Sequence, residues 1–280
     1  MKKCIITGGN SGIGYEAAMQ IAAKGFHVTL LCRNEKKAIQ SCKQISEKTD
    51  NPNVDYLIAD LSVMKQVKDA VTLYLKKNST LDVLINNAAD FDLSVKKPVI
   101  AEEGVEKQFA TNVVAPFLLS QLFMDALKRS GDGKIINISS QGLCVFPFIK
   151  LNFDNINGEM GYSPSSTYYQ NKLALLTFSL YMRELHDDIT IQAIRVTNVK
   201  IDMTRYDNIN PILKKTYAIK SKFSISPAKM AEIYTMLATE KNYKGFLYNE
   251  KGEEVKANSS AYFKESQEKL YELLISITNL

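Results

Sequence analysis

Short apolar runs alternate with longer amphipathic runs along this chain of 280 residues. The runs predicted to form strands are Lys3 to Thr7, Val28 to Cys32, Val54 to Ile58, Val83 to Ile85, Lys134 to Ile138 and Ile189 to Val196. Strands that are apolar on both faces and separated by helices are typical of a parallel sheet covered on both sides. The pattern therefore predicts an α/β fold, a doubly wound parallel sheet with helices on both faces.

The length favours one large domain over residues 1–280 rather than two small ones. Two stretches lack regular periodicity, Leu143 to Ser166 and Ile201 to Pro227, and loops of that length are often functional. We expect them, at about 143–166 and 201–227, to shape a substrate site. A last helix is predicted from about Ser260 to Ser276, packed on the sheet through apolar residues at helical spacing.

Charge and cysteine content exclude several classes of protein. Lysine and arginine number 35 against 30 acidic residues, a net charge of +5, and there is no polybasic run of the kind that nucleic-acid binders use. No stretch reaches the ~20 apolar residues that span a bilayer. Too few apolar residues precede the first glycines for a signal peptide, so the sequence predicts a cytoplasmic protein.

The cysteines, Cys4, Cys32, Cys42 and Cys144, are widely spaced, and the chain has only two histidines. No C-x-x-C pair is present. This pattern predicts neither a disulfide framework nor a metal site. We expect all four cysteines to be small buried residues.

A glycine cluster follows the first predicted strand, in the order Thr7-Gly8-Gly9-Asn10-Ser11-Gly12-Ile13-Gly14, and a helical pattern continues to Ala23. Glycines let the backbone turn tightly and approach a pyrophosphate at the start of a helix. The cluster therefore predicts a dinucleotide site. Its expected contact residues are Gly8, Asn10, Ser11, Gly12, Ile13 and Gly14.

The end of the second strand bears on the choice of cofactor. An acid at this point would bind the ribose 2′-hydroxyl of NAD, whereas the chain has Cys32, Arg33 and Asn34. The guanidinium of Arg33 suits a 2′-phosphate, so NADP(H) is favoured over NAD(H), with Arg33 and Asn34 as contacts. The alternative is that Arg33 is a solvated charge at the strand end, with Glu35 close by.

Tyr168 is followed four residues later by Lys172 in a helical pattern. Residues four apart share a helix face, so the Lys172 ammonium can favour the phenolate form of Tyr168. Such a phenol can give or take a proton. Tyr169 is the competing phenol, but its partner four residues on is Leu173, which carries no charge.

The glycine spacing T-G-x-x-x-G-x-G, the segment Asn86-Asn87-Ala88-Ala89 and the ordered set Asn112, Ser140, Tyr168 and Lys172 together resemble the short-chain dehydrogenase/reductase family over nearly the whole chain. The resemblance implies a Rossmann-type fold and an NAD(P)-dependent oxidoreductase. In these roles Tyr168 is the general acid or base, and Ser140 donates a hydrogen bond to the substrate oxygen, with Ser139 as the alternative donor. The resemblance also implies that Lys172 assists the phenol and holds ribose hydroxyls of the cofactor, and that Tyr168 contacts the cofactor too. Asn112 is expected to anchor a water.

The resemblance adds cofactor contacts after the third and fourth strands. Asp60 and Leu61 are expected at the adenine edge, although Asp60 could equally be a residue at the entry of the next helix. Asn87 and Ala88 are expected beside the ribose. Ala89 replaces the family's glycine, a change that costs little if its φ is negative.

Two departures from the family pattern affect the substrate side. Asn198 and Val199 stand where the family usually has proline and glycine, and the expected cofactor contacts there are Ile201 and Thr204, the latter if the loop slides by one residue. The long segment between Ser140 and Tyr168 resembles the retinol dehydrogenase-like and protochlorophyllide reductase-like branch. Its apolar residues either line a substrate channel or pack on the sheet, and they are Phe146, Phe148, Leu151, Phe153, Ile156 and Met160.

The sequence thus predicts an NADP(H)-dependent oxidoreductase acting on a hydrophobic carbonyl or alcohol as its small-molecule partner. An alternative is a catalytically weak NADP(H)-binding regulatory or interaction protein on the same fold. Such a protein is expected to lose Tyr168 or Lys172 first, and both are present. Association into a homo-oligomer stays open.

Overall fold

The computed structural model describes residues 1–200 and 224–280. Its centre is a seven-stranded sheet in which every neighbouring pair is parallel, in the order β3-β2-β1-β4-β5-β6-β7. The strands are β1 Lys3–Thr7, β2 His27–Cys32, β3 Val54–Ile58, β4 Val83–Asn86, β5 Lys134–Ser140, β6 Thr190–Val196 and β7 Leu247–Tyr248. The order reverses between β1 and β4, which is where doubly wound sheets bind ligands.

Helices connect the strands and cover both faces of the sheet. The described helices are α1 Gly12–Ala23, α2 Glu35–Thr49, α3 Met64–Lys77, α4 Lys107–Phe109, α5 Ala115–Leu122, α6 Met124–Arg129, α7 Pro164–Leu185, α8 Pro227–Thr239 and α9 Lys264–Thr278. A π-helical segment, Ala110–Val114, joins α4 to α5, and short 3₁₀ turns cover Gln141–Val145, Phe153–Asn155 and Ser259–Tyr262.

The core lies in two apolar layers, one on each face of the sheet. Neighbouring residues of a strand point to opposite faces, so Ile135 packs in the layer with α3, α5 and α7, and Ile136 packs in the layer with α1, α2 and α8. This double burial explains why the strands are apolar throughout rather than alternating.

The predicted architecture is confirmed, with differences at the edges. The strands predicted at Val83 to Ile85 and Lys134 to Ile138 run on to Asn86 and Ser140, and the strand β7 was not predicted. The predicted last helix begins four residues later than expected, at Lys264, because Ser259–Tyr262 forms a 3₁₀ turn; α9 packs against α7 rather than directly on the sheet.

The expectation for the cysteines was right for three of them and wrong for Cys144, which is exposed. Cys144 lies in the 3₁₀ turn beyond β5, where the chain leaves the sheet. In the part of the chain that the structure describes, no group of histidine, cysteine or acidic side chains could hold a metal ion. Within the same residues, no helix combines the length and apolar character needed to cross a membrane.

Candidate active site

The glycine cluster forms a tight turn between β1 and α1. Gly8 and Gly12 have φ angles of 65° and 58°, a left-handed conformation that side chains rarely adopt. Gly14 lies so close to the neighbouring loop that a Cβ would be 2.5 Å from Asn87 Nδ2 and 2.6 Å from the Gly8 oxygen. Gly8 and Gly12 are therefore required by their backbone conformation. Gly14 is required because the start of α1 lies close to Asn87 and to the Gly8 carbonyl.

The start of α1 fits a phosphate group. Ser11 is the exposed N-cap residue, and its hydroxyl makes no capping hydrogen bond to the helix. No acidic residue lies in the first turn, so the free N–H groups and the positive end of the helix dipole are not neutralised. Asn10 and Ile13 flank this turn and are partly exposed. The residues present fit the pyrophosphate of a dinucleotide.

Thr7 ties the glycine turn to the loop after β4. Its Oγ1 accepts hydrogen bonds of 2.9 Å from the backbone N–H groups of Asn87 and Ala88, and the Asn87 side chain donates to the Thr7 carbonyl. Ala89 does not have a positive φ, as expected for a residue that replaces glycine at low cost. The predicted ribose residues Asn87 and Ala88 are thereby held next to the predicted phosphate residues.

Arg33 and Asp60 meet at the ends of β2 and β3. Arg33 Nη1 lies 3.9 Å from Asp60 Oδ2, and the Arg33 side chain is 71% exposed. Burial acts to raise the pKa of Asp60, but hydrogen bonds from the Ser62 hydroxyl and N–H, together with Arg33, lower it below its usual value. The structure thus has an exposed cation at the end of β2, close to the Asp60 carboxylate.

Other residues of this end are engaged in local structure. Asn34 is the N-cap of α2 and accepts a hydrogen bond from the Lys37 N–H. Asp60 forms a local turn with Ser62, and α3 begins two residues after Ser62, at Met64. The Leu61 side chain is buried in the core. Leu61 can therefore face a cofactor mainly through backbone atoms, whereas the exposed Asn34 has only its side-chain oxygen engaged in the cap.

Lys172 is buried beneath the face of Tyr168. Its Nζ donates a 2.7 Å hydrogen bond to the Ile138 carbonyl of β5 and lies 5.6 Å from the centroid of the Tyr168 ring. Burial lowers the pKa of Lys172 from 10.5 to about 8. Both residues lie on α7, four positions apart, so the predicted pair shares one helix face and approaches the end of β5.

The Tyr168 ring lies among aromatic residues, of which two were missed by sequence reasoning. Phe91 stacks on Tyr168 with ring centroids 4.3 Å apart. Tyr234 of α8 hydrogen bonds to Asn87, and burial, followed by the charge of Tyr168, raises the pKa of Tyr234 well above its usual value. Both contacts join distant parts of the chain, and no local pattern points to them.

Tyr169 has a structural environment that differs from that of Tyr168. Its ring packs on Phe146 with centroids 4.8 Å apart, and a Cβ on Gly142 would come within 2.2 Å of the Tyr169 ring. Tyr169 therefore holds the 3₁₀ turn that follows β5.

The two serines at the end of β5 differ in their hydrogen bonds. Ser140 is partly exposed, and its Oγ accepts a 3.1 Å hydrogen bond from the Gly142 N–H. A hydroxyl that accepts one bond keeps its hydrogen free to donate. Ser139 is 2% exposed, and its Oγ has no hydrogen-bond partner among the described residues. Strand alternation points the two side chains to opposite faces.

Asn112 lies in the π-helical segment and is 1% exposed. Its amide forms a reciprocal pair with the Asp90 backbone, accepting from the N–H at 2.7 Å and donating to the carbonyl at 2.8 Å. Asn112 therefore fixes the loop that carries Phe91 over Tyr168. Single π turns inside helices are often found at functional sites.

The segment after β6 replaces the expected proline and glycine with Asn198 and Val199. Val199 pairs with Ile225 in an isolated parallel bridge, and the Asn198 carbonyl accepts from the Ile225 N–H at 3.1 Å. The two predicted cofactor contacts that follow, Ile201 and Thr204, lie outside the described residues, as does most of the predicted loop at 201–227.

The apolar residues of the loop at 143–166 divide into two groups. Leu151, Phe153 and Ile156 pack against the core, which agrees with the expectation of packing on the sheet rather than with that of a substrate channel. Phe146, Phe148 and Met160 are 43%, 91% and 65% exposed. The second group is therefore the more accessible to a substrate, although all three residues of the first group line a cavity beside α7.

Three comparisons place these features among known proteins. The family model described as short chain dehydrogenase matches residues 2–212. The chain is 30% identical over 289 residues to the polyprenol dehydrogenase of Danio rerio, covering 100% of this chain and 87% of that protein. It is 32% identical over 213 residues to retinol dehydrogenase 13 of Mus musculus, covering 75% and 62%.

One solved structure illustrates the shared fold. The L-sorbose reductase from Gluconobacter frateurii, complexed with NADPH and L-sorbose, matches with a TM-score of 0.68 at 20% identity, covering 89% of this chain and 94% of that one. At this level of identity the likeness concerns the fold alone.

Proposed function

This chain belongs to the short chain dehydrogenase family, in its retinol dehydrogenase-like branch, and we propose that it transfers hydride between NADP(H) and the carbonyl or alcohol group of a hydrophobic substrate. That it is a nicotinamide-dependent oxidoreductase follows from the family. The preference for NADP(H), the roles of single residues and the class of substrate are the proposal. The observation that carries it is the buried Lys172 ammonium beneath the Tyr168 ring.

The catalytic roles follow from charge and hydrogen bonding. When bound, the nicotinamide supplies or accepts the hydride. Tyr168 gives a proton to the substrate oxygen in reduction or removes it in oxidation, and the adjacent Lys172 charge stabilises the phenolate. Ser140, whose hydrogen is free, donates to the same oxygen where negative charge grows. Asn112 holds the loop after β4 in place.

The proposed cofactor contacts group around the reversal of strand order. The glycine turn from Gly8 to Gly14, with Asn10, Ser11, Gly12 and Ile13, would hold the pyrophosphate, and Asn87 and Ala88 the ribose. Arg33, beside Asn34 and Asp60, supports NADP(H) because its guanidinium is exposed and held at the end of β2. Leu61 would contact the cofactor through its backbone. Tyr168 and Lys172 would contact the nicotinamide ribose.

A hydrophobic substrate is supported by the surroundings of Tyr168. Phe91 lies against the phenol, and Phe146 packs on the neighbouring Tyr169. The apolar side chains of Phe148 and Met160, in the loop at 143–166, are exposed. Large exposed apolar side chains on the segment that joins Ser140 to Tyr168 favour binding of an apolar ligand. The relatives named for polyprenol and retinol are consistent with this class.

The test is consumption of NADPH and of NADH with a panel of small aldehydes, long-chain aldehydes, ring-bearing ketones and quinones, and the reverse reaction with the matching alcohols. We expect turnover with NADPH and a higher kcat/KM for the long or ring-bearing carbonyls. No turnover across the panel with either cofactor, from a protein that binds NADPH, would favour the regulatory alternative.

The predicted cytoplasmic location stays a proposal. Fractionation of cells that make the full chain tests it, and recovery in the membrane fraction would contradict it.

A further inference from the structure

A cavity outside the site described above lies beside the end of β5. It is bounded by β6, the 3₁₀ turn after β5 and the segment 256–259. Its volume is about 240 Å³. Tyr168, Lys172 and Asn112 do not line it, so it is distinct from the space above the phenol, although Ser140 borders it. Its polar lining residues are Ser139, Ser140, Cys144, Arg195, Lys256, Asn258 and Ser259.

Two buried donors in this cavity have no hydrogen-bond partner among the described residues. They are Ser139 Oγ and Arg195 Nε. Ser139 and Arg195 are opposite each other in the parallel pairing of β5 and β6, so their side chains leave the same face of the sheet side by side. A buried donor without a partner is destabilising, and more so when the group is charged. Two such donors at one point indicate a missing acceptor.

The charge of the cavity has one sign. Arg195 and Lys256 line it, and no aspartate or glutamate of residues 1–200 and 224–280 does. Neither cation forms an ion pair with a carboxylate of the described residues. The one acceptor of the Arg195 Nη1 group within the described part of the chain is the Cys144 sulfur, at 3.4 Å, and a thiol sulfur is a weak acceptor.

We propose that this cavity binds an oxyanion, a phosphate or a carboxylate, held by the Ser139 hydroxyl, the Arg195 guanidinium and the Lys256 ammonium. An oxyanion supplies the acceptors that both buried donors lack. The planar guanidinium suits bidentate contact with phosphate or carboxylate oxygens. Lys256 is exposed at the mouth, where it adds charge without blocking entry.

Cys144 provides a local reporter of occupancy. It is the exposed cysteine of the four and lines the cavity beside Arg195. Burial raises the pKa of Cys32 to about 11 and that of Cys42 to about 12, and burial raises the pKa of Cys4 further still. The thiolate, which is the reactive form, is therefore scarce at the other three positions. A neutral maleimide should label Cys144 selectively.

The experiment measures the rate of alkylation of the full chain by N-ethylmaleimide while inorganic phosphate replaces chloride at constant ionic strength. We expect the rate at Cys144 to fall at least threefold and to level off as phosphate saturates the cavity. Cys144→Ser gives the background rate. A parallel titration with acetate tells a phosphate site from a carboxylate site, since only a site that accepts carboxylates is protected by both anions.

Variants separate this cavity from the nucleotide end. Ser139→Ala removes a hydroxyl that has no partner in the part of the chain that the structure describes, so it should fold normally and weaken the phosphate effect at least tenfold, as should Lys256→Ala. Arg195→Met should abolish the effect, with thermal unfolding as the check that it folds. Lys251→Ala, on the same carboxyl-terminal segment but outside the cavity, and Arg33→Ala should keep it.

Two results would overturn the proposal. One is a wild-type alkylation rate that phosphate changes no more than chloride does. The other is a phosphate effect that survives unchanged in Ser139→Ala and Lys256→Ala. Neither result bears on turnover with NADPH, so the proposed function stands or falls separately.

Discussion

The Lys172 ammonium lies 5.6 Å from the centre of the Tyr168 ring while it donates to the Ile138 carbonyl at 2.7 Å. The carbonyl fixes the ammonium at the end of β5, and burial lowers the pKa of Lys172 to about 8. A cation close to a phenol in a weakly polar interior acts on it more strongly than it would in water. This relationship is the physical basis of the first two predictions.

Tyr168→Phe should lower kcat at least ~100-fold, the usual scale for loss of a general acid or base. The ring remains to stack on Phe91, so folding should be unchanged. Tyr169→Phe is the matched control and should keep nearly full activity, because Tyr169 packs on Phe146 and Gly142. Steady-state kinetics with the best carbonyl of the panel decide this. Equal turnover by both variants would remove Tyr168 from the mechanism.

Lys172→Met should abolish most activity but stabilise the fold near neutral pH. The folded-state pKa of Lys172 is lowered from 10.5 to about 8, so between these values the unfolded chain holds a proton that the folded chain has released. Wild-type stability therefore rises with pH across that window, whereas below about pH 8 the cost of burying the charge is fully present. At pH 7 the variant should be more stable by about 1 to 3 kcal/mol.

Urea unfolding at several pH values measures this difference, which should shrink as the pH rises from 8 to 10. Lys134→Met is the control for activity. Lys134 is also buried, with a pKa lowered mainly by burial, but it caps α8 through the Leu237 and Glu240 carbonyls, far from the phenol in the sequence and in the fold. It should lose stability and keep kcat. A Lys172→Met protein with a wild-type pH dependence of stability would contradict the assignment.

The strands and the catalytic pair could be predicted because their signals are local. Doubly buried strands are continuous apolar runs, and a helical spacing of four places Tyr168 and Lys172 on one face. The strand β7 was missed because it is two residues long, too short to show a periodicity, and because its pairing with β6 joins distant parts of the chain. Its existence depends on the sheet that it joins.

The parts of the site that could not be predicted depend on contacts between distant residues. Phe91 reaches Tyr168 only because Asn112 holds the intervening loop through Asp90. Likewise, the sequence alone does not say which of two adjacent serines has a partly exposed hydroxyl that is held in place by a hydrogen bond. That depends on the turn that brings the Gly142 N–H to Ser140. The sequence also does not say which apolar residues of the loop at 143–166 pack on the core and which are exposed. Burial of Phe153, for example, depends on the core beneath it.

Arg33 should give a preference of at least tenfold for NADPH over NADH in binding. A charge-assisted contact to phosphate contributes ~1.5 to 3 kcal/mol, and tenfold corresponds to ~1.4 kcal/mol. Arg33→Ala should bring the two dissociation constants close together without a large loss of stability, because its ion pair with Asp60 is exposed and long. Fluorescence titration measures both constants. Lys36→Ala, an exposed cation in the first turn of α2, should keep the preference.

Equal affinities of the wild-type protein for the two cofactors would mean that Arg33 is a solvated charge at the strand end. A preference that survives Arg33→Ala would place the 2′-phosphate contact elsewhere.

Phe148 and Phe153 should respond differently to truncation. Phe148 is 91% exposed, so Phe148→Ala should leave the melting temperature unchanged. If the loop at 143–166 forms an apolar wall of the substrate site, this variant raises KM for long-chain or ring-bearing carbonyls and leaves small aldehydes unaffected. Phe153 packs against the core and under the Lys269 ammonium, 4.7 Å from its ring.

Phe153→Ala should therefore lower the free energy of unfolding, by up to the ~3 to 5 kcal/mol of a fully buried phenylalanine, with little change in the preference among substrates. The two variants serve as controls for each other when melting temperature and KM are measured on both. An unchanged KM profile for Phe148→Ala would refute the apolar wall at this position. If Phe153→Ala instead changed the KM profile and kept wild-type stability, Phe153 would be a substrate contact rather than a core residue. Loss of core packing would have lowered the stability as well.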